Sequence, residues 1–365
     1  MNFGSDRSGN VLIRADANPL IGTGHVMRCL ALAQAWQDVG GTAIFLLAQS
    51  TPSILARLAT ENCKVITLSA VPGSDEDAAL TNQYASRIGT EWLVLDGYAF
   101  GEEYQKQIWN RERKLLSVDD AGASDHYIAN VVLNQNLTAG EHLYPNRLAD
   151  AQLLLGPTFC LLRREFTPWR NWQRGISAVG YKVLITLGGS TPAEVGVRVI
   201  ESIARARVEG LRATFVLGGS SSDTAALENC AARFRDKISI RRDISNMAEL
   251  MAQADVAISA AGSTCWELCL LGLPSILLDV ADNQTSVAIE LERRGCALYA
   301  GRGNRVCPEE LAKCIESLLL SQETRESMSR HSRDLVDGGG AERVVSAMRG
   351  SVHDPLWADT RGAHA

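Results

Sequence analysis

Short apolar runs recur along the chain, and between them lie longer stretches in which apolar residues return every three or four positions. The short runs, bounded by polar or glycine-rich turns, predict buried strands, and the three-and-four spacing predicts amphipathic helices. In the first half the strand-like runs are residues 11–13, 43–47, 65–68, 93–95, 115–118, 131–133 and 153–155. From residue 156 to about 180 the period breaks into Pro157, Arg163, Arg164, Pro168, Trp169, Arg170, Trp172 and Arg174, which reads as a connector. The rhythm then resumes with 183–187, 213–217, 238–240, 256–258, 276–278 and 297–299. After residue 320 the pattern is helical over 323–336, broken by Gly338-Gly339-Gly340, and helical again over 342–348, before a polar tail without period.

Strands alternating with helices predict parallel sheets covered on both faces. The fold class expected is therefore α/β, with two Rossmann-like domains facing a cleft. A chain of 365 residues suits two such cores. The expected division is residues 1–165, a connector over 166–180, a second domain over 181–336, and a C-terminal helix with a flexible tail over 337–365.

Composition narrows the function classes. The chain is 46% hydrophobic and 21% charged, with a formal net charge of −6, and it lacks basic clusters. That balance favours neither nucleic acid nor a membrane surface as partner. The first seven residues carry an acidic side chain and no apolar core, so they do not read as a signal peptide, and no apolar run reaches the roughly 20 residues of a membrane span. A cytoplasmic location is expected. The 9 cysteines are scattered, without a C-x-x-C pair, which supports neither a disulfide framework nor a thiolate zinc site. Cys265 and Cys269, four apart on an expected helix, read as small buried hydrophobes.

The first strand-to-helix turn, from Arg14 to Leu30, carries the most chemistry. Ligands of open parallel sheets bind beyond the carboxyl ends of the strands, where this turn lies. Gly22 and Gly24 let backbone approach a ligand, and the helix behind them directs free N–H groups at an anion. A dinucleotide fingerprint needs a third glycine where Met27 stands and an acidic residue about 20 positions on, where Ala48-Gln49-Ser50 is found. A Walker loop needs lysine after its last glycine, and Gly24 is followed by His25. What remains is a glycine loop delivering His25 and Arg28: a neutral-pH proton acceptor and a cation for phosphate or sugar oxygens. The alternative, a histidine capping the helix and an arginine on its surface, stays open here.

A second turn of the same kind runs through Gly262, Ser263, Thr264 and Glu267. Its backbone N–H groups and hydroxyls suit a diphosphate, and the Glu267 carboxylate suits two ribose hydroxyls. Ser263 as a helix cap is the competing reading. Asn283 and Gln284, after the next expected strand, face the same cleft and favour the binding reading. A third turn, Gly188-Gly189, either faces the diphosphate or leads into a helix capped at Thr191-Pro192.

Arg14, Asp16, Ile21, Gly22, Gly24, His25, Arg28, Cys29 and Leu30 fill the signature R-x-D-x-x-x-x-I-G-x-G-H-x-x-R-C-L. With Asp96-Gly97-Tyr98, Asp119-Asp120, Asn134-Gln135-Asn136 and Leu161-Leu162-Arg163-Arg164-Glu165-Phe166, this resembles the nucleotide-sugar hydrolases of pseudaminic acid biosynthesis, relatives of the peptidoglycan N-acetylglucosaminyltransferases. The resemblance implies the glycosyltransferase-B architecture, with sugar on the N-terminal domain and UDP on the C-terminal one. It implies a small-molecule UDP-sugar, UDP-2,4-diacetamido-2,4,6-trideoxy-β-L-altropyranose, cleaved at the anomeric C–O bond by water with inversion, on a route to nonulosonic acids such as those of flagellin glycosylation. No cofactor and no metal are implied. In that reading His25, with Tyr98 or Asp96, activates water; Asp16, Gly22, Gly24, Arg28, Asn136 and Arg163 hold the sugar side; and Gly188, Gly189, Gly262, Ser263, Thr264, Glu267, Asn283 and Gln284 hold UDP. Asp16 as a plain loop anchor carries equal weight. A transferase of the same fold, and a module that binds without turnover, are the rivals.

Overall fold

The computed structural model describes residues 9–350 except 190, 219–223, 243 and 245. The N-terminal seven residues read above, Ser190 of the third glycine turn and the tail beyond Gly350 lie outside the described residues. The first domain runs β1 (Asn10–Ala15), α1 (Gly24–Asp38), β2 (Thr42–Leu47), α2 (Pro52–Thr60), β3 (Lys64–Thr67), α3 (Asp75–Ile88), β4 (Thr90–Asp96), α4 (Glu102–Ile108), β5 (Lys114–Val118), β6 (Val131–Asn134) and β7 (Gln152–Leu155). The second runs β8 (Lys182–Thr186), α5 (Ala193–Arg205), β9 (Arg212–Leu217), α6 (Ala225–Ala232), β10 (Ile238–Arg242), α7 (Met247–Gln253), β11 (Val256–Ala260), α8 (Thr264–Leu270), β12 (Ser275–Asp279), α9 (Thr285–Arg293) and β13 (Leu298–Arg302). Three further helices follow: α10 (Pro308–Leu320), α11 (Gln322–Leu335) and α12 (Gly340–Met348).

Both sheets are parallel, ordered β3-β2-β1-β4-β5-β6-β7 and β10-β9-β8-β11-β12-β13. Their central strands are apolar without alternation, because helices cover both faces: β1 buries every residue after Asn10, and β11 and β12 are buried throughout. Each sheet reverses its direction of growth once, between β1 and β4 and between β8 and β11. Such switch points open a crevice at the strand carboxyl ends, and the turns after β1, β4 and β11 lie there.

The chain does not finish in its second domain. Helix α12 returns to the first, where Ala341, Val344, Val345 and Met348 join a core that includes Val26, Cys29, Leu30, Ala33 and Trp36 of α1. Gly340 permits the approach, because a Cβ there would collide with the Cys160 carbonyl oxygen. The connector region is packed as well. Phe166 is buried, Trp169 and Trp172 meet edge to face at 5.1 Å, and Arg174 donates to carbonyls of Met251, Ala254 and Leu271.

Candidate active site

The turn after β1 is built by Asn18. Its side-chain oxygen accepts from Leu20 N at 2.7 Å and Ile21 N at 2.8 Å, while its carbonyl accepts from Gly22 N at 2.9 Å. Gly22 closes the turn at φ +76°, which a side chain would strain. Helix α1 then starts at Gly24 with no side-chain cap and no acidic residue in its first turn, leaving its N–H groups and positive dipole end facing the cleft. His25 is not a cap. Its half-buried imidazole meets the Tyr98 ring edge-on at 5.1 Å, and among the described residues nothing hydrogen-bonds it.

Arg28, expected on phosphate or sugar, is instead a clamp. Nε and Nη2 donate to the two Asp96 oxygens at 2.6 and 2.7 Å, and Nη1 and Nη2 donate to those of Asp120 at 2.7 and 3.1 Å. Its planar fork matches one carboxylate on each edge, which leaves little of it for a ligand. Asp96, expected beside His25, is fully buried under Arg28 and the Cys29 thiol. The carboxylate near the imidazole is Asp120. Burial pulls its pKa up, but Arg28, His25 and Asn136 outweigh burial and hold it below the usual carboxylate range.

Asn136, expected on substrate, donates to the Asp120 carbonyl at 3.1 Å and to its Oδ1 at 3.3 Å. Asp119 pins the same loop: it accepts from Ala121 N, Gly122 N and the hydroxyls of Tyr127 and Tyr144 at 2.6–2.9 Å. Asp16, expected at the sugar, is the loop anchor. Its Oδ1 accepts from Ala48 N and Gln49 N, both at 2.8 Å, and its Oδ2 lies 2.8 Å from Arg14. Arg14 in turn pairs bidentately with Asp77, inside the domain.

Tyr98 stands at the mouth, 60% exposed. Partial burial of its hydroxyl and repulsion of the phenolate by Asp120 and Asp96, opposed by Arg28 and Asn283, push its pKa up to about 12. It is therefore a protonated donor at neutral pH. Behind it lies a recess whose lining includes His25, Phe100, Ser117, Asp120 and Ser124.

The second domain meets this wall directly. A Cβ on Gly24 would lie 3.8 Å from Ser263 Oγ, and one on Gly262 would lie 3.7 Å from Gln284 Nε2. Ser263 precedes α8 without capping it, so its hydroxyl is free of that duty. Gln284 is oriented by accepting Val280 N at 3.0 Å, and Asn283 donates to Tyr98 across the cleft. Glu267 is buried against Arg163, Nη1 to Oε1 at 2.8 Å; burial raises its pKa and Arg163 opposes the rise. Arg163 is thus committed to protein carboxylates, Glu267 and Glu165, rather than open to the sugar. In the third turn Gly188 takes φ +83°, Gly189 packs against Gly218, and the Thr191 hydroxyl bonds the Leu187 carbonyl instead of capping α5.

His25, Tyr98, Gly24, Gly262, Ser263, Asn283 and Gln284 therefore converge, whereas Asp16, Arg28, Asp96, Asn136 and Arg163 hold other groups in place. Asp120 entered the sequence reading only as part of the Asp119-Asp120 motif and was given no role; its position just beyond β5, at the carboxyl edge of the sheet, was the available signal. Among the described residues no three His, Cys, Asp or Glu are placed to share a metal ion, and no helix is long and apolar enough to cross a membrane.

Residues 183–344 match the glycosyltransferase family 28 C-terminal domain. Among curated proteins the chain is similar to an uncharacterized protein of Methanocaldococcus jannaschii, 27% identical over 276 residues, 73% of this chain and 55% of that one. It is also similar to the spore coat polysaccharide biosynthesis protein SpsG of Bacillus subtilis, 28% identical over 198 residues, 54% of this chain and 56% of that one. The matches thus span about half the length of these two relatives. The UDP-2,4-diacetamido-2,4,6-trideoxy-β-L-altropyranose hydrolase of Campylobacter jejuni is 24% identical over 291 residues, 78% of this chain and 97% of that enzyme. The crystal structure of Acinetobacter baumannii MurG superposes with a TM-score of 0.64 at 17% identity, covering 94% of this chain and all of that one. The chain is accordingly built of two parallel-sheet α/β domains of the glycosyltransferase-B type, the second of which matches the family 28 C-terminal domain.

Proposed function

We propose that this cleft hydrolyses a UDP-linked deoxy amino sugar at its anomeric C–O bond, releasing free sugar and UDP. The observation that carries the reading is the meeting of the two glycine turns, with His25 and Tyr98 on one wall and Ser263, Asn283 and Gln284 on the other. The hydrolase signature around His25 and the near-complete coverage of the Campylobacter enzyme support UDP-2,4-diacetamido-2,4,6-trideoxy-β-L-altropyranose as substrate, the free sugar serving nonulosonic acid biosynthesis.

In this reading His25 takes a proton from water attacking the anomeric carbon, and the neighbouring Asp120 carboxylate stabilises the imidazolium that forms. Tyr98 donates a hydrogen bond to a substrate oxygen. The N–H groups at the start of α1, with its dipole, receive negative charge building on the diphosphate. A diphosphate leaves readily, so no dedicated acid is required. Glu267 accepts the ribose hydroxyls, with Gly188, Gly189, Thr264 and the amides of Asn283 and Gln284 along the rest of UDP. Attack from the face opposite the diphosphate inverts the anomeric centre, and no metal takes part. A cytoplasmic location fits a UDP-sugar substrate.

The family 28 match favours one rival, transfer of the sugar to an acceptor other than water. Incubation with the diacetamido-trideoxy UDP-sugar in heavy-oxygen water separates the two. Label in the free sugar supports hydrolysis by C–O cleavage, whereas label in UDP means attack on phosphorus and removes the role given to His25. UDP binding with no turnover points to transfer or to a module that binds without turnover.

A further inference from the structure

Arg163 joins two acidic side chains that would otherwise repel each other inside the protein. Its Nη1 lies 2.8 Å from Glu267 Oε1 and its Nη2 lies 3.1 Å from Glu165 Oε1, all three side chains being nearly nine-tenths buried. The guanidinium also rests over the Phe166 ring at 5.3 Å, so its plane has little freedom. Its far anchor is shared by both domains: Glu165 accepts from Arg57 of α2 at 2.6 Å and from the backbone N–H of Met247, the first residue of α7, at 3.3 Å.

This arrangement matters for Glu267. Arg163 occupies one of its oxygens, and among the described residues no group hydrogen-bonds the other, Oε2. Glu267 sits on the first turns of α8, close behind Gly262 and Ser263 at the cleft. A glutamate has three side-chain torsions, and an unheld one at this site would be free to turn away or to protonate in its buried surroundings.

We infer that Arg163 is a positioning residue for nucleoside recognition: it holds Glu267 in one rotamer, with Oε2 presented to the vicinal hydroxyls of the ribose. The inference rests on the assignment of the ribose to Glu267. It differs from a direct contact between Arg163 and the sugar or the diphosphate, because Arg163 then acts on the ligand only through the carboxylate.

The test is calorimetric titration of the full chain with UDP, 2′-deoxy-UDP and uridine, for the wild type and for Glu267→Gln, Arg163→Met and Arg163→Lys. A hydrogen bond to a charged acceptor predicts that the wild type prefers UDP over 2′-deoxy-UDP by about tenfold to a hundredfold. Arg163→Met is expected to reduce that ratio to within about twofold while binding 2′-deoxy-UDP almost as the wild type does. Arg163→Lys is expected to fall between, since a point charge cannot bridge both carboxylates as the fork does. Equal weakening of UDP and 2′-deoxy-UDP by Arg163→Met, with the ratio kept, overturns the inference. If uridine binding is then unchanged, Arg163 touches the diphosphate. Should Arg163→Met fail to fold, a wild-type ratio in Arg163→Lys overturns the inference in its place. A wild type without preference, or a Glu267→Gln variant that keeps it, removes the ribose assignment instead.

Discussion

Asn283 donates its side-chain amide to the Tyr98 hydroxyl at 2.8 Å, tying the loop after β12 in one domain to the end of β4 in the other. Both residues are exposed at the cleft mouth, and they are 185 positions apart in the chain. A bond of this kind adds little to stability but aligns two walls that a substrate must bridge. Asn283→Ala is expected to shift unfolding free energy by less than about 1 kcal/mol while raising the KM for the UDP-sugar, measured by urea denaturation and steady-state kinetics. Tyr98→Phe removes the hydroxyl itself, and kcat is expected to fall about tenfold to a hundredfold with UDP affinity within about twofold of wild type.

His25→Ala is expected to lower kcat by about 10²–10⁴-fold, the usual range for a positioned base, with UDP binding nearly unchanged. A loss of less than about tenfold would exclude the assignment. Single-turnover rates are the right measurement, because they report the chemical step even where product release limits turnover.

Asp120 carries a signature in acid. Its folded pKa lies below the ordinary value, through Arg28, His25 and Asn136 acting against burial. Its contribution to stability is therefore complete above its unfolded pKa of about 4 and is lost as pH falls through the lower folded value. Asp120→Asn is expected to flatten the acid limb of the stability curve below about pH 4 and to leave its slope near neutrality alone, while kcat falls. An unchanged acid limb would remove the pairing.

Arg28 neutralises both Asp96 and Asp120. Arg28→Met takes from two carboxylates the guanidinium that neutralises them both, and removing one side of a buried pair costs about 3–5 kcal/mol. The expected phenotype is a large drop in unfolding free energy, distinct from that of a ligand contact, which would lower affinity in a stable protein.

Gly340 admits α12 against the Cys160 and Phe159 backbone. A methyl group there forces backbone to move, so Gly340→Ala is expected to cost about 1–3 kcal/mol, the range for overpacking. Limited proteolysis should then cut ahead of α12, since loss of this contact releases the helix from the first domain.

Much of the architecture was legible before any contact was known. Each of the thirteen apolar runs overlaps a strand, because in a parallel sheet covered on both faces burial is a local property of consecutive residues. The glycines at 22, 24 and 262 were legible for the same reason: a turn at a strand end needs them wherever the strand finally sits. The turns beyond the carboxyl ends of the strands bring His25, Tyr98, Ser263, Asn283 and Gln284 into one cleft.

What the sequence by itself determined is the order of strands and helices, the two-domain α/β class, and which turns could carry a ligand. Only the tertiary structure decided which charges meet. Arg28 finds Asp96 and Asp120 at separations of 68 and 92 residues because β4 and β5 lie in turn beside β1 in the sheet. Arg163 meets Glu267 only where the connector crosses the second domain. A charged side chain reads identically in sequence whether it will touch a ligand or another side chain. The strand order and domain contact that settle the choice are set by burial of the whole chain.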